Sequence, residues 1–297
     1  MSTLTAAYVQ FRPLFGDLAG NRQRLAALLE TVRGADLVVL PELAFSGYNF
    51  EDREQALTLA EPASPQAESV RMLTQRANDI GATLVAGYCE LEAGTLYNSA
   101  VVVRPRDGLV ATHRKMHLFD REKYIFEPGE RFTTLDIPLR SGGSAKLGVL
   151  VCFDWAFPES WRVLMLAGVD VVAHPSNLVI PGFCQSCLPA MARMNRLGVV
   201  LANRYGEERR LHFTGESLIL DGLGKELHRG PVEGDHVGRA TLELTTIRNK
   251  QLTPNNHLLA DRRPELYTPL CEPNEEVPSQ PRNVGLGDTL RDLRHGG

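Results

Sequence analysis

Residues 146–159 read Lys146-Leu147-Gly148-Val149-Leu150-Val151-Cys152-Phe153-Asp154-Trp155-Ala156-Phe157-Pro158-Glu159, passing from an apolar strand, through a thiol, to a helix start. The run 146–151 has the unbroken apolar character of a strand covered on both faces. Pro158 suits a first helical position, where its missing N–H costs nothing, and Glu159 suits the positive end of a helix. A strand, a sharp turn and a helix in immediate succession are the repeating unit of a layered α/β fold. A thiol at such a strand end faces unpaired backbone donors, a setting expected to lower its pKa and to hold a developing oxyanion. Buried cysteine is also ordinary core packing, so Cys152 needs partners before it signifies chemistry.

Outward from this stretch, short β-branched runs alternate with helical patterns. Strands are expected at 5–10, 37–40, 83–88, 99–103, 146–151, 169–174, 198–202 and 216–220. Helices are expected at 21–33, 65–80, 158–167 and 188–197. From about Thr246 the chain turns polar and proline-rich. The expected organisation is therefore a main domain over 1–245 and an irregular C-terminal arm over 246–297, partly disordered or laid across a partner subunit.

The 297 residues carry 43% hydrophobic and 23% charged side chains, enough for a substantial core. The formal charge of -4, without separation along the chain, argues against nucleic acid or an anionic membrane as the main partner. The N-terminus lacks a signal-peptide pattern and no run reaches membrane-spanning length. Five scattered cysteines fit free thiols in a reducing cytoplasm. Cys184 and Cys187 form a single C-x-x-C without a second pair or a histidine partner, so zinc binding is not expected. They read as two thiols in the loop after Asn177; a redox pair is the alternative. His174, after an apolar strand, reads as a hydrogen-bonded structural histidine.

Two further strand ends carry reactive groups. Leu37-Val38-Val39-Leu40-Pro41-Glu42 is an apolar strand stopped by proline with a carboxylate next, a partly desolvated place where a general base can form. Thr112-His113-Arg114-Lys115-Met116-His117-Leu118-Phe119 brings a basic cluster against apolar residues, so the Lys115 ammonium can point inward and stabilise a thiolate or an oxyanion. His113 and His117 read as supports of the Lys115 loop. In open α/β sheets ligands gather at the carboxyl ends of strands. A carboxylate, an ammonium and a thiol at three such ends fit one cleft.

With these segments on the page, the sequence resembles the nitrilase superfamily of carbon–nitrogen hydrolases. The likeness lies in Leu40-Pro41-Glu42-Leu43, in Arg114-Lys115-Met116-His117-Leu118, and in Glu122-Lys123 followed by Phe126-Glu127-Pro128-Gly129. It continues through Cys152-Phe153-Asp154-Trp155, His174-Pro175-Ser176-Asn177-Leu178, Ala202-Asn203-Arg204 and Gly215-Glu216-Ser217. The Gly47–Phe50 segment brings it near the branch that holds archaeal thermoactive aliphatic nitrilases.

The resemblance implies an α/β, four-layer αββα sandwich extended across a dimer interface. It implies Glu42 as general base, Lys115 as electrostatic acid, Cys152 as nucleophile and Glu122 as the residue that positions Lys115. The backbone N–H of Phe153 is expected in the oxyanion site, and Tyr48, Trp155 and Asn177 as pocket walls. The implied reaction is cofactor-free and metal-free hydrolysis of a small aliphatic amide through a cysteine thioester. Nitrile hydrolysis is the alternative. N-carbamoyl substrates are disfavoured, because Trp155 and Ala156 stand where enzymes for N-carbamoyl-D-amino acids carry an arginine pair. A second departure is that Met191 and Met194 replace the family's usual arginine and glutamate beside Asn195. A silent binding module on the same fold is the rival reading.

Overall fold

The continuous apolar runs become the centres of two sheets. In the computed structural model, which describes residues 2–273, the chain runs β1 (Thr3–Gln10), α1 (Leu18–Thr31), β2 (Leu37–Val39), α2 (Arg53–Leu59), α3 (Glu68–Ile80), β3 (Thr83–Glu92), β4 (Thr95–Arg104), β5 (Gly108–Arg114), β6 (Thr134–Pro138) and β7 (Ser144–Val149). It continues α4 (Pro158–Leu166), β8 (Val171–Ser176), α5 (Phe183–Asn195), β9 (Gly198–Asn203), β10 (Tyr205–Glu208), β11 (Leu211–Thr214), β12 (Leu218–Leu220), β13 (Glu226–Arg229), β14 (His236–Glu243) and α6 (Leu244–Arg248). The helix ends follow local chemistry. Asp17 caps α1 by accepting from Gly20 N, Gly81 ends α3 in the left-handed region, and Pro158 occupies the first turn of α4.

One six-stranded sheet has the order β14-β1-β2-β3-β4-β5, the other β13-β12-β9-β8-β7-β6. In each, the central triplet is parallel (β1-β2-β3 and β7-β8-β9) and the flanking strands are antiparallel. The alternation of side chains along β1 sets the layers. Leu4, Ala6 and Tyr8 pack into a core shared with Val149, Val171 and Val199 of the second sheet. Ala7 and Val9 point the other way, onto Leu25 and Leu29 of α1 and Leu73 and Ala77 of α3. Helices α4 and α5 contribute Trp161, Leu164, Leu188 and Ala192 to the core of the second sheet. The result is a mixed α/β fold of two facing sheets with helices packed on them.

The structure differs from the sequence reading in several elements. Helix α5 begins at Phe183 rather than 188, because Gly182 in the left-handed region starts it and Pro189 is held inside it; Cys184 and Cys187 therefore lie in its first turns, not in a loop. Strands β5, β6, β13 and β14 were not expected. Helix α6 runs across the junction expected between main domain and arm, with Leu244 and Ile247 buried in the main core. Beyond it, residues 249–273 form a small hairpin and two 3-10 turns. The rest of the expected arm, 274–297, lies outside the described residues.

Candidate active site

Glu42, Lys115, Cys152 and Asn177 follow β2, β5, β7 and β8, so four strand ends supply one site. Close backbone approach makes this possible at Gly87 in β3. A Cβ there would stand 2.3 Å from Glu42 Cα and 2.4 Å from Pro41 O, and only glycine admits the Pro41–Glu42 turn against the sheet. Gly129 has the same relation to the Lys115 loop, its absent Cβ lying 2.3 Å from Arg114 O, while its N–H donates to Lys115 O.

The side chains of Glu42, Lys115 and Glu122 are buried and joined. Lys115 Nζ donates to Glu42 Oε1 at 2.7 Å and to Glu122 Oε1 at 2.8 Å. Asn98 Nδ2 donates to Glu42 Oε1 at 2.7 Å, and Tyr48 OH to Glu122 Oε1 at 2.7 Å. The backbone N–H of Phe119 reaches Glu122 Oε2. Glu42 Oε2 accepts no hydrogen bond among the described residues, so one carboxylate oxygen remains open to a proton.

Cys152 sits in electrostatic reach of Glu42, Lys115 and Glu122 with φ of 43°, a left-handed conformation that costs a non-glycine residue about 1–2 kcal/mol. Three contacts hold the turn. Asp154 accepts from Val151 N at 2.9 Å with one oxygen. With the other it binds His117 N at 2.9 Å and His117 Nδ1 at 2.8 Å, tying the Cys152 turn to the Lys115 loop. His174 Nε2 lies 2.9 Å from Cys152 O, where the neutral ring with its proton on Nε2 donates to that carbonyl.

The electrostatics correct one expectation. The Cys152 thiol is pushed well above its ordinary pKa, first by burial and then by the Glu42 carboxylate, against which Lys115 pulls down. Burial and two carboxylates outweigh one ammonium and the Asn177 backbone donor, so the resting group is a thiol. Burial pulls the Lys115 pKa down, but Glu122 and Glu42 more than offset it and keep the ammonium charged. Burial raises Glu122 against the opposing pull of Lys115. Asp154 stays ionised although buried, because the His113 ring 3.8 Å away and the hydrogen bond with His117 hold its pKa down.

Beside Cys152 opens a cavity of about 320 Å³, bordered by Phe153, Trp155, Asn177, Ile180, Phe183 and Met191 among others. Three of the residues expected around the reacting group, Phe153, Trp155 and Asn177, line it. Tyr48 does not; it is turned inward to Glu122. Asn177 Nδ2 donates to Glu42 O, whereas its Oδ1 has no partner among the described residues. Cys184 and Cys187 also border the cavity, and all five cysteines are free.

Asn98, Asp154 and a buried pair, Arg204 and Glu208, were assigned no role from the sequence. Arg204 Nη1 donates to Glu208 Oε2 at 2.8 Å, and Glu208 Oε1 accepts from Tyr48 N and Asn49 N at 2.9 and 2.6 Å, fixing the loop that presents Tyr48 to Glu122. A polar Asn98 within an apolar strand was a readable signal; of the Arg204–Glu208 pair only Arg204 was visible, as the end of the Ala202-Asn203-Arg204 segment. Among the described residues no group of three or more His, Cys, Asp or Glu is placed to hold a metal ion, and no helix is long and apolar enough to cross a membrane.

The family model described as carbon-nitrogen hydrolase matches residues 5–251. A nitrilase of Pyrococcus abyssi is 43% identical over 264 residues, 88% of this chain and 98% of the relative. The crystal structure of Nit3 from Saccharomyces cerevisiae, a member of branch 10 of the nitrilase superfamily, superposes with a TM-score of 0.74 at 27% identity, covering 87% of this chain and 97% of Nit3. A mutant amidase of Nesterenkonia sp. AN1, solved with acrylamide added to its active-site cysteine, superposes with a TM-score of 0.69 at 26% identity, covering 90% of this chain and 99% of the amidase.

Proposed function

Because the chain belongs to the carbon-nitrogen hydrolase family of the nitrilase superfamily, we propose that it hydrolyses the C–N bond of a small aliphatic amide and releases ammonia, with Glu42, Lys115 and Cys152 as its catalytic triad. The observation that carries this reading is the free Glu42 Oε2 on a carboxylate whose other oxygen is held by Lys115 and Asn98. Such a carboxylate is a base locked in position, and the thiol beside it stays protonated until it acts.

Glu42 removes the Cys152 proton as Sγ attacks the amide carbon. Negative charge on the carbonyl oxygen is held by the Lys115 ammonium and the N–H of Phe153. Glu42 passes its proton to the amide nitrogen, and ammonia leaves a thioester. Water then attacks, giving up its proton to Glu42. The acid departs, the thiol is reprotonated, and the site returns to its starting state. Glu122, held by Tyr48, keeps Lys115 aimed at the oxyanion; Asn177 Oδ1 accepts an N–H of the substrate amide, and Trp155 walls the acyl group.

The 43% identity to a protein named nitrilase favours a second reading, attack on a nitrile carbon through a thioimidate, which uses the same groups. N-carbamoyl amino acids fit less well, since Trp155 and Ala156 border the cavity without charge. Five free thiols support a reducing, cytoplasmic setting. No cofactor enters these steps. Two copies are proposed to pair through α4, α5 and the C-terminal segment, extending the sandwich.

Cys152→Ala is expected to abolish ammonia release from amides and nitriles while circular dichroism and melting stay native; continued turnover overturns the mechanism. Acrylamide, which adds to the relative's cysteine, is expected to mass-label Cys152 at neutral pH. A Cys152 inert to it, in a protein without turnover, favours the binding module.

A further inference from the structure

The acyl pocket is far more apolar than the chemistry beside it requires. Its border includes Trp155, Leu178, Ile180, Phe183, Cys184 and Met191, and among the described residues no Asp, Glu, Lys, Arg or His side chain reaches it. The Trp155 and Phe183 rings meet edge to face at 5.0 Å, Phe183 being half exposed at the cavity's edge. Glu42, Lys115 and Glu122 do not border it and are bound to one another. A substrate tail pointing away from the reacting carbon therefore meets hydrocarbon, aromatic faces and sulfur.

Resting on the amide-hydrolysis reading, we infer that the preferred substrate carries an uncharged apolar acyl group as large as a phenylalkyl chain, and that amides ending in a carboxylate or an ammonium are rejected. The size follows from volume. An apolar cavity of about 150 Å³ admits benzene, and this one, at about 320 Å³, has room for a ring and the methylenes that join it to the carbonyl. The selectivity follows from solvation. Each methylene moved from water into such a pocket favours binding about fourfold. A carboxylate buried without a partner is disfavoured by roughly a hundredfold or more.

The test is kcat/KM for ammonia release from acetamide, butanamide, hexanamide, 3-phenylpropanamide and adipamic acid, the last ending in a carboxylate. The expected result is a rise of about fourfold per methylene up to the filled cavity. 3-Phenylpropanamide should rank among the best substrates, and adipamic acid at least about a hundredfold below hexanamide. A flat series, or a better carboxylate-ended substrate, overturns the inference while leaving amide hydrolysis standing. Absence of turnover with every amide and nitrile sinks the underlying reading and the inference with it. Independently, Met191→Trp, which fills the cavity, is expected to lower the ratio of 3-phenylpropanamide to acetamide turnover at least tenfold; an unchanged ratio in the folded variant counts against the pocket assignment.

Discussion

At Glu42 the two carboxylate oxygens have different surroundings. Oε1 is saturated by Lys115 and Asn98, and Oε2 is free. Glu42→Gln preserves shape and most contacts but removes the base, so kcat is expected to fall about 10²–10⁴-fold with little change in KM. A loss under tenfold in steady-state kinetics would assign the proton transfer elsewhere. Glu42, Lys115 and Cys152 were legible as candidates because a carboxylate, an amine and a thiol directly after apolar runs are conspicuous. Their supports were not. Asp154, Asn98 and Glu208 act through partners distant in sequence, such as His117, Glu42 and Tyr48. The raised Cys152 thiol pKa departs from the sequence expectation for a related reason: the strand-end donors are visible in the sequence, but burial beside two carboxylates is not.

At the scale of elements, the turn between β7 and α4 is a strained piece held by clamps. Cys152 takes the left-handed region while its carbonyl is bound by His174 at the end of β8. Burial lowers the His174 pKa to about 4 from an ordinary 6.5, and its Nδ1 finds no partner among the described residues. The unfolded chain therefore takes up a proton on acidification before the native state does. The associated stability is present above pH 6.5 and is lost as pH falls toward 4, by about 3 kcal/mol in all. Urea denaturation between pH 7 and 4.5 is expected to show this slope, and His174→Gln to flatten it. An equal slope in the variant would place the titrating group elsewhere. The sequence did mark His174 as structural; that its partner is the Cys152 carbonyl depended on the packing of β8 against the turn.

For the whole molecule, legibility ran from the centre outward. The parallel strands β1, β2, β7, β8 and β9 are covered on both faces and read as continuous apolar runs. The flanking strands β6 and β14 mix exposed and buried residues and β13 has none buried, and β14 pairs with β1 from the far end of the chain, Thr3 opposite Glu243. Such pairing is fixed by tertiary contact rather than local pattern. The same logic reaches past the single chain. A groove of about 1000 Å³ runs between α4, α5 and the segment 252–271, bordered by Val163, Leu166, Met194, Leu252 and Leu270, each at least two-fifths exposed. Contiguous apolar surface of this kind on a water-facing helix calls for a cover, and the proposed cover is the same face of a second copy, because a two-fold pairing makes one patch serve both subunits. A stable pair needs roughly 1,200–2,000 Å² of buried surface. Light scattering is expected to give twice the chain mass for the wild type and the single chain mass for Leu166→Glu, since the pairing would have to desolvate a charge at an apolar position of the groove. A wild type that stays monomeric at micromolar concentration would overturn the pairing.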